Sequence, residues 1–85
     1  RYAEEMKTTQ YFEFTRSRPD RSGIHDEWIE SAIAEPLEEE IQSDGRIRRW
    51  TWVEEEGRFL RIVLLEDGET VHNAFFDRRF KRKGN

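Results

Sequence analysis

Cysteine is absent from this chain, proline occurs only twice, and no apolar run is long. Without cysteine the chain can form no disulfide, no thiol nucleophile and no cysteine-ligated zinc or iron–sulfur site. No run approaches the roughly 18–20 apolar residues that a membrane span needs, and the amino-terminal segment lacks the apolar core of a signal peptide. We therefore expect a cytoplasmic protein with no membrane partner.

The common catalytic motifs are also missing. The sequence has no glycine-rich phosphate loop, no nucleophile elbow and no paired Ser/His/Asp signature. Its two histidines, His25 and His72, do not stand at metal-ligand spacing. The acidic run at residues 38–40 fits a solvated connector better than a metal site. We predict that the protein uses no metal and no cofactor.

Charge is divided unevenly along the 85 residues, which carry a formal net charge of -4. No lysine or arginine occurs from Ser22 to Gly45, whereas the chain ends on the basic and aromatic stretch FFDRRFKRK at residues 75–83. Local patches of charge, more than the net charge, decide which partners a surface attracts. The basic end is therefore a candidate working surface, although a solvated tail that offsets the acidic half is the alternative.

The length allows one small domain, because a chain of this size hides only about 60–65% of the surface that its unfolded form exposes. Three Trp, two Tyr and six Phe supply bulky burial and argue against disorder. We predict a single α+β domain at residues 11–83, preceded by a frayed segment at residues 1–10.

The pattern of apolar residues predicts one main helix and a small antiparallel sheet of three to four strands. The helix, within the segment IHDEWIESAIAEP at residues 24–36, has an apolar stripe, is stopped by Pro36 and is capped by Ser22 or His25. The predicted strands are residues 11–15, 46–53, 58–65 and 70–76. Residues 16–23 form an arginine-rich loop, and residues 37–45 form a polar connector.

Parity along the strands predicts two different sheet faces. Asp67-Gly68 is a two-residue hairpin signal, which would pair Leu64 with Val71 and Ile62 with Asn73. The face that packs on Trp28, Ile29 and Ile33 would then carry Leu60, Ile62, Leu64, Val71 and Phe75. The second face would carry Arg48, Trp50, Trp52, Arg61 and His72.

Aromatic rings and cations on one sheet face suit single-stranded nucleic acid, because rings stack on bases and cations meet phosphates. Ordinary cross-strand packing of Trp and Arg is the competing interpretation. The candidate nucleic-acid-binding residues are Arg16, Arg18, Arg48, Trp50, Trp52, Lys81 and Arg82. If Trp50 and Trp52 are exposed, they also predict a homodimer or a partner protein.

RNA can be cleaved by its own 2′-hydroxyl without a metal, given a base, an acid and cations around the phosphorus centre. The candidate catalytic residues are Arg61, His72, Arg78 and Arg79, in which arginine would act as an electrostatic clamp. We predict that Phe80 folds back onto the sheet and holds Arg78 and Arg79 near His72. The candidate partners of Asp77 are Arg16, Arg18, Arg78 and Arg79.

The segments GIHDEWIESAI, DGRIRRWTWV and EDGETVHNAFFDRRFKR occur in this order. Over residues 11–83 the chain resembles a family of short uncharacterised bacterial proteins that are often placed near the RelE/BrnT-like toxins of toxin–antitoxin systems. The resemblance implies a compact antiparallel sheet with helices on one face. It also implies a metal-independent ribonuclease that is neutralised by an antitoxin-like partner.

In RelE-like toxins the active groove uses basic sheet residues, often with a His or Tyr near the last strand, and His72, Arg61, Arg78 and Arg79 match such positions. RelE-like toxins are usually basic, whereas this chain is acidic. Three functions follow from the sequence: a RelE/BrnT-like ribonuclease, a non-catalytic interaction module of the same fold, or a sequence-independent nucleic-acid binder without cleavage.

Overall fold

The computed structural model describes residues 6–82, which form two helices and one sheet of four antiparallel strands. The elements are α1 (Gln10–Arg16), α2 (Asp26–Ala34), β1 (Glu38–Ile41), β2 (Ile47–Val53), β3 (Arg58–Leu64) and β4 (Val71–Phe76). The strands lie in the order β1-β2-β3-β4. The predicted α+β class and antiparallel sheet are confirmed, but the sheet packs on two helices. Part of the segment predicted to be frayed, residues 1–5, lies outside the described residues.

The strand predicted at residues 11–15 is wrong, because these residues belong to α1. The hydroxyl of Thr9 caps this helix by accepting a hydrogen bond from the Phe12 N–H. Phe12 and Thr15 are buried at a spacing of three, which is a helical spacing. Isolated helices as short as α1 are unstable in water, so the burial of Phe12 against the sheet stabilises a structure that local pattern does not reveal.

Helix α2 agrees with the prediction, since it follows His25 and ends two residues before Pro36. Its acidic first turn complements the helix dipole, and Trp28 and Ile29 are buried. His25 occupies the N-cap position but makes no side-chain capping hydrogen bond. Its ring instead stacks on Trp28, with ring centroids 4.3 Å apart.

The polar connector predicted at residues 37–45 is also wrong, because it contains the edge strand β1. On one side of the sheet a carboxylate oxygen of Glu39 lies 2.7 Å from the Nε of Arg49. On the other side a carboxylate oxygen of Glu40 lies 3.0 Å from the Nη1 of Arg48. Opposite charges that face each other across strands stabilise a sheet. The acidic run therefore pairs with the basic strand β2 and gives the sheet a charged edge.

The turn between β3 and β4 is longer than the predicted two-residue hairpin. The Leu65 N–H donates to the Thr70 carbonyl, so the loop consists of residues 66–69. The Asp67 carboxylate accepts hydrogen bonds from the hydroxyl and N–H of Thr70 and from the Glu69 N–H. These bonds favour the ionised carboxylate and lower the pKa of Asp67 to about 2.

The register of β3 and β4 changes at His72. Leu64 pairs with Val71 as predicted, but Ile62 pairs with Ala74 and not with Asn73, because the ladder is shifted beside Leu64. An extra residue in one strand reverses which side chains face the core beyond it. The prediction that Phe75 faces the core is therefore wrong.

The core lies between the two helices and one face of the sheet. Its buried residues are Phe12, Ile24, Trp28, Ile29, Ala32, Val53, Leu60, Ile62, Leu64, Val71 and Ala74, with Met6, Ile33, Ile47 and Phe76 packed against them. All predicted core residues except Phe75 contribute to it. Within the described residues, the second face of the sheet carries no helix. In residues 6–82, no helix is long and apolar enough to cross a membrane.

Candidate functional site

The helix-free side of the sheet, named the open face here, carries three rows of side chains across the strands. The rows are Glu40, Arg48, Val63 and Asn73; Glu38, Trp50, Arg61 and Phe75; and Trp52 and Phe59. The predicted residues Arg48, Trp50, Trp52 and Arg61 share this face. The four-residue turn at residues 54–57 preserves the parity that placed them together.

The chain end folds back over this face as the C-terminal segment, residues 77–82. The Phe80 ring stacks on Trp50 with ring centroids 4.6 Å apart, and its edge contact with Phe59 is 5.0 Å. The predicted docking of Phe80 on the sheet is therefore confirmed. The expectation of an exposed Trp50 is wrong, because Phe80 and its neighbours leave this residue only 6% exposed. Trp52 remains 43% exposed.

Asp77 fastens the first part of the C-terminal segment. Its carboxylate accepts a hydrogen bond of 3.0 Å from the Trp50 indole N–H and lies 3.5 Å from the Arg61 guanidinium. Its other oxygen accepts from the Arg79 backbone N–H. A largely buried carboxylate needs such partners. Asp77 thus pairs with Arg61, and not with any of the four arginines predicted from the sequence.

Arg61 lies at the centre of the open face, with its guanidinium 4.5 Å from the centroid of Phe75. Burial lowers the pKa of Arg61, and the neighbouring charge of Arg48 lowers it further, whereas Asp77 opposes both. Arginine nevertheless stays cationic at neutral pH. The buried Nε of Arg61 has no hydrogen-bond partner in residues 6–82. Arg61 can therefore act as an electrostatic clamp and not as a base.

The C-terminal segment also presents four exposed cations beside the open face. They are Arg78, Arg79, Lys81 and Arg82. Within the described part of the chain, none of these four side chains forms an ion pair. Other cations of the open face do: Arg48 pairs with Glu40, and Arg61 pairs with Asp77. Exposed and unpaired, they are the cationic charge that is most available to a partner.

The two predicted loop arginines lie in different surroundings. Arg16 belongs to α1, pairs with Asp26 and lies over the Phe12 ring, 4.8 Å from its centroid. It is therefore held on the helix-covered side. The side chain of Arg18 is 59% exposed, and its only carboxylate neighbour among residues 6–82 is Asp20, at 4.0 Å.

The His72 side chain packs against α1, at the register shift near the start of β4. Its ring stacks on Tyr11 at 4.8 Å, and its Nδ1 is 3.1 Å from the Thr9 hydroxyl. Burial, together with the charge of Arg46, lowers the pKa of His72. Five residues of extended chain, about 16 Å, separate His72 from Asp77. The structure therefore gathers Arg61, Arg78 and Arg79 at one end of β4 and places His72 at the other.

The loop before α2 contributes a residue that the sequence prediction did not include. Arg21 donates a hydrogen bond of 2.8 Å to the Asn73 side-chain oxygen and lies 5.3 Å from the centroid of Phe75. Phe75 thus has guanidinium groups from both Arg21 and Arg61 against its ring. The only signal in the sequence was an arginine in a loop that contains Pro and Gly. The contacts of Arg21 with Asn73 and Phe75 could not be predicted, because they depend on the reversed parity of β4.

Chemically, this arrangement can bind anions and stack on planar groups. Among residues 6–82, no cluster of three or more His, Asp or Glu side chains could hold a metal ion. Comparison with protein-family models, with curated proteins and with solved structures found no match to this chain. The geometry of the open face and of the C-terminal segment is therefore the basis for a functional assignment.

Proposed function

We propose that this chain is a RelE/BrnT-like toxin-type protein that binds single-stranded RNA with the open face and the C-terminal segment. The single observation that carries the proposal is the anchoring of an unpaired cationic segment to an aromatic sheet face. Phe80 and Asp77 fix the backbone of this segment, so that Arg78 and Arg79 lie beside the open face. A partner therefore meets cations whose positions are already restricted, which lowers the entropic cost of binding.

The chemistry of the two parts is complementary. Exposed cations neutralise phosphates and release counterions, while the partly exposed ring of Trp52 offers a surface for a base. Stacking on such a ring contributes about 1–3 kcal/mol per base and tolerates any sequence. The acidic half of the chain, from Ser22 to Gly45, repels RNA and favours encounters with the basic end.

Cleavage is the further step that the resemblance to RelE/BrnT-like toxins implies. In this form of the proposal Arg61, Arg78 and Arg79 hold the charged phosphorus centre. The packing of His72 against Tyr11 and Thr9, at the end of β4 far from Asp77, argues against a direct role as the base at that centre. Binding without cleavage is the form that the geometry favours.

The test is the affinity for a labelled single-stranded RNA at increasing salt. The logarithm of the affinity falls with the logarithm of the salt concentration by about 0.7 per phosphate contact. The double substitution of Arg78→Ala with Arg79→Ala should weaken binding and flatten this slope by roughly one to two contacts. The matched control is the double substitution of Lys7→Ala with Arg46→Ala, which removes equal charge from the opposite end of the sheet and should retain the slope.

Equal slopes for the two double variants would refute the role of the C-terminal segment. RNA of unchanged length after long incubation with the parent, alone and with ribosomes, would remove the ribonuclease form and leave the binding form. Absence of RNA binding by the parent would refute both forms.

The alternative, a non-catalytic protein-interaction module, is favoured by a different observation. Tyr11 and Phe14 on α1 are 51% and 68% exposed, and large exposed apolar groups mark interfaces. In a homodimer or a complex with an antitoxin-like partner they would be covered. Sedimentation velocity tests the homodimer: Phe14→Ser should weaken any self-association, and a concentration-independent monomer would exclude it.

A further inference from the structure

We infer that Arg21, Arg48 and Arg61 form a phosphate-binding site on the open face, which takes a backbone phosphate of single-stranded RNA. This inference rests on the proposed function and names a second contact, separate from the C-terminal segment. Arg21 comes from the loop between the helices, Arg48 from β2 and Arg61 from β3. The three side chains therefore come from three parts of the chain.

Phe75 brings two of the guanidinium groups together. They lie 5.3 Å and 4.5 Å from its ring centroid, so that Arg21 and Arg61 are no further apart than the sum of these distances. Arg48 is in the next row of the open face, diagonal to Arg61, and its charge is close enough to lower the pKa of Arg61. Like charges at this spacing repel; Glu40 beside Arg48 and Asp77 beside Arg61 offset part of the repulsion, and an anion between the guanidinium groups would offset more of it.

The hydrogen-bonding capacity of the cluster is only partly used. A guanidinium has five N–H donors. The Arg61 Nε is buried and has no partner in residues 6–82, so the donors that Arg61 offers to a ligand are on its terminal nitrogens, of which Nη1 lies 3.5 Å from the Asp77 carboxylate. Arg48 donates one hydrogen bond of 3.0 Å to Glu40. Arg21 donates to Asn73, while the Asp20 carboxylate lies 3.8 Å from its Nε. The remaining donors match the several oxygens of a phosphate, which arginine binds in bidentate geometry.

The position of the site fits a single strand of RNA. The row that contains Arg48 and the row that contains Trp52 are four residues apart along β2, which corresponds to about 13 Å. A strand that crosses the sheet therefore meets the arginine cluster first, then Trp52 and the C-terminal segment. Phosphate and base contacts alternate along this path, as in other single-strand-binding surfaces.

The wild-type protein provides the first measurement, the NMR signals of the arginine Nε–H groups during titration. The probes are a short oligouridylate, inorganic phosphate and uridine, which lacks phosphate. The oligouridylate should shift the signals of Arg21 and Arg61, and uridine should not. Shifts with inorganic phosphate but not with the oligouridylate would overturn the assignment to RNA. Unchanged Arg21 and Arg61 signals with both phosphate-containing probes would overturn the site.

The second measurement compares three substitutions in the RNA-binding assay. Arg21→Gln should flatten the salt slope by about 0.7, the value for one phosphate contact, and Arg21→Lys should restore most of it. The matched control is Arg58→Gln, because Arg58 also lies over a phenylalanine ring, that of Phe76, at 3.8 Å, but on the core side of the sheet. This variant should keep the parental slope.

The two proposals fail in distinguishable ways. A parental slope in Arg21→Gln, with a flattened slope in the double substitution of Arg78 and Arg79, would refute the arginine cluster and retain the proposed function. An equal loss in Arg21→Gln and Arg58→Gln would show a general effect of charge or stability, and would also refute the cluster. The denaturation midpoint of each variant identifies any loss of folding.

Discussion

At the scale of single residues, Asp77 controls the charge of the open face. Its side chain is 13% exposed and contacts both the Trp50 indole and the Arg61 guanidinium. Neutralising the carboxylate would keep a polar group beside Trp50 and leave Arg61 next to Arg48 without its counter-charge. The residue thus stabilises the fold and at the same time reduces the attraction of the open face for phosphate.

These two roles predict opposite effects of Asp77→Asn. The free energy of unfolding should fall by about 1–3 kcal/mol, the cost of leaving a partly buried polar group without its partner. RNA affinity should rise and the salt slope should steepen, because Arg61 becomes available. Urea denaturation and the RNA assay measure the two effects.

The control for this prediction is Asp44→Asn, which removes an exposed carboxylate 3.9 Å from Arg46. Such surface pairs contribute little to stability, so the denaturation midpoint of Asp44→Asn should remain close to that of the parent. Weaker RNA binding by Asp77→Asn, with the fold intact and Trp50 still covered by Phe80, would contradict the assignment of the open face.

At the scale of elements, the C-terminal segment acts as a cover for Trp50 and not as a free tail. Residues 77–82 contain no helix or strand, so the segment is held by its side chains and by the hydrogen bond from the Asp77 N–H to the Phe59 carbonyl. The Phe80 ring provides the apolar contact. One aromatic side chain therefore decides where four exposed cations lie.

Phe80→Ala tests this arrangement. Loss of the two ring contacts should cost about 0.5–1.5 kcal/mol beyond the area that is re-exposed, and Trp50 should become accessible to a fluorescence quencher. Lys81→Ala, an exposed neighbour, is the control and should change neither quantity. If Trp50 is quenched equally in Phe80→Ala and the parent, Phe80 does not cover it.

At the scale of the whole molecule, one side of the sheet forms the core and the other carries the open face. Both helices pack on one side and bury the core, which leaves the open face and its cations on the other. His72 connects β4 to α1 through Tyr11 and Thr9. Its titration therefore affects the stability of the fold more directly than the open face.

The pKa of His72 is lowered in the folded protein, chiefly by burial. The unfolded chain, with an ordinary histidine pKa of about 6.5, then binds a proton at a higher pH than the folded chain does. Stability should be fully present above about pH 6.5 and should fall as the pH drops toward the lowered pKa of the folded state. His72→Gln should flatten this part of the curve of denaturation midpoint against pH.

The control is His25→Gln, which removes the other imidazole and its stacking on Trp28. A pH dependence that persists unchanged in His72→Gln would show that other groups cause it. If the slope of denaturation midpoint against pH changes in both His72→Gln and His25→Gln, then loss of either imidazole ring alters the pH dependence of unfolding.

Much of the fold could be predicted from local pattern. The apolar stripe before Pro36 identified α2, and the alternation along β2 and β3 placed Arg48, Trp50, Trp52 and Arg61 on one face. Hydrophobic periodicity is sufficient there because each element buries one side against the core. The docking of Phe80 followed from the length of chain after β4 and from its aromatic side chain.

The sequence by itself determined the α+β class, the main helix, the three strands β2, β3 and β4, and the presence of a basic, aromatic end. The tertiary structure alone decided which residues meet there. The short helix α1 is stabilised by burial of Phe12, and the acidic edge strand β1 by cross-strand ion pairs, and neither stabilising contact is visible in local pattern. The extra residue at His72 reverses the parity of β4, moves Phe75 to the open face and brings Arg21 to it. A shift of one residue in pairing depends on contacts between distant segments, and so the candidate phosphate site could be recognised only in the folded chain.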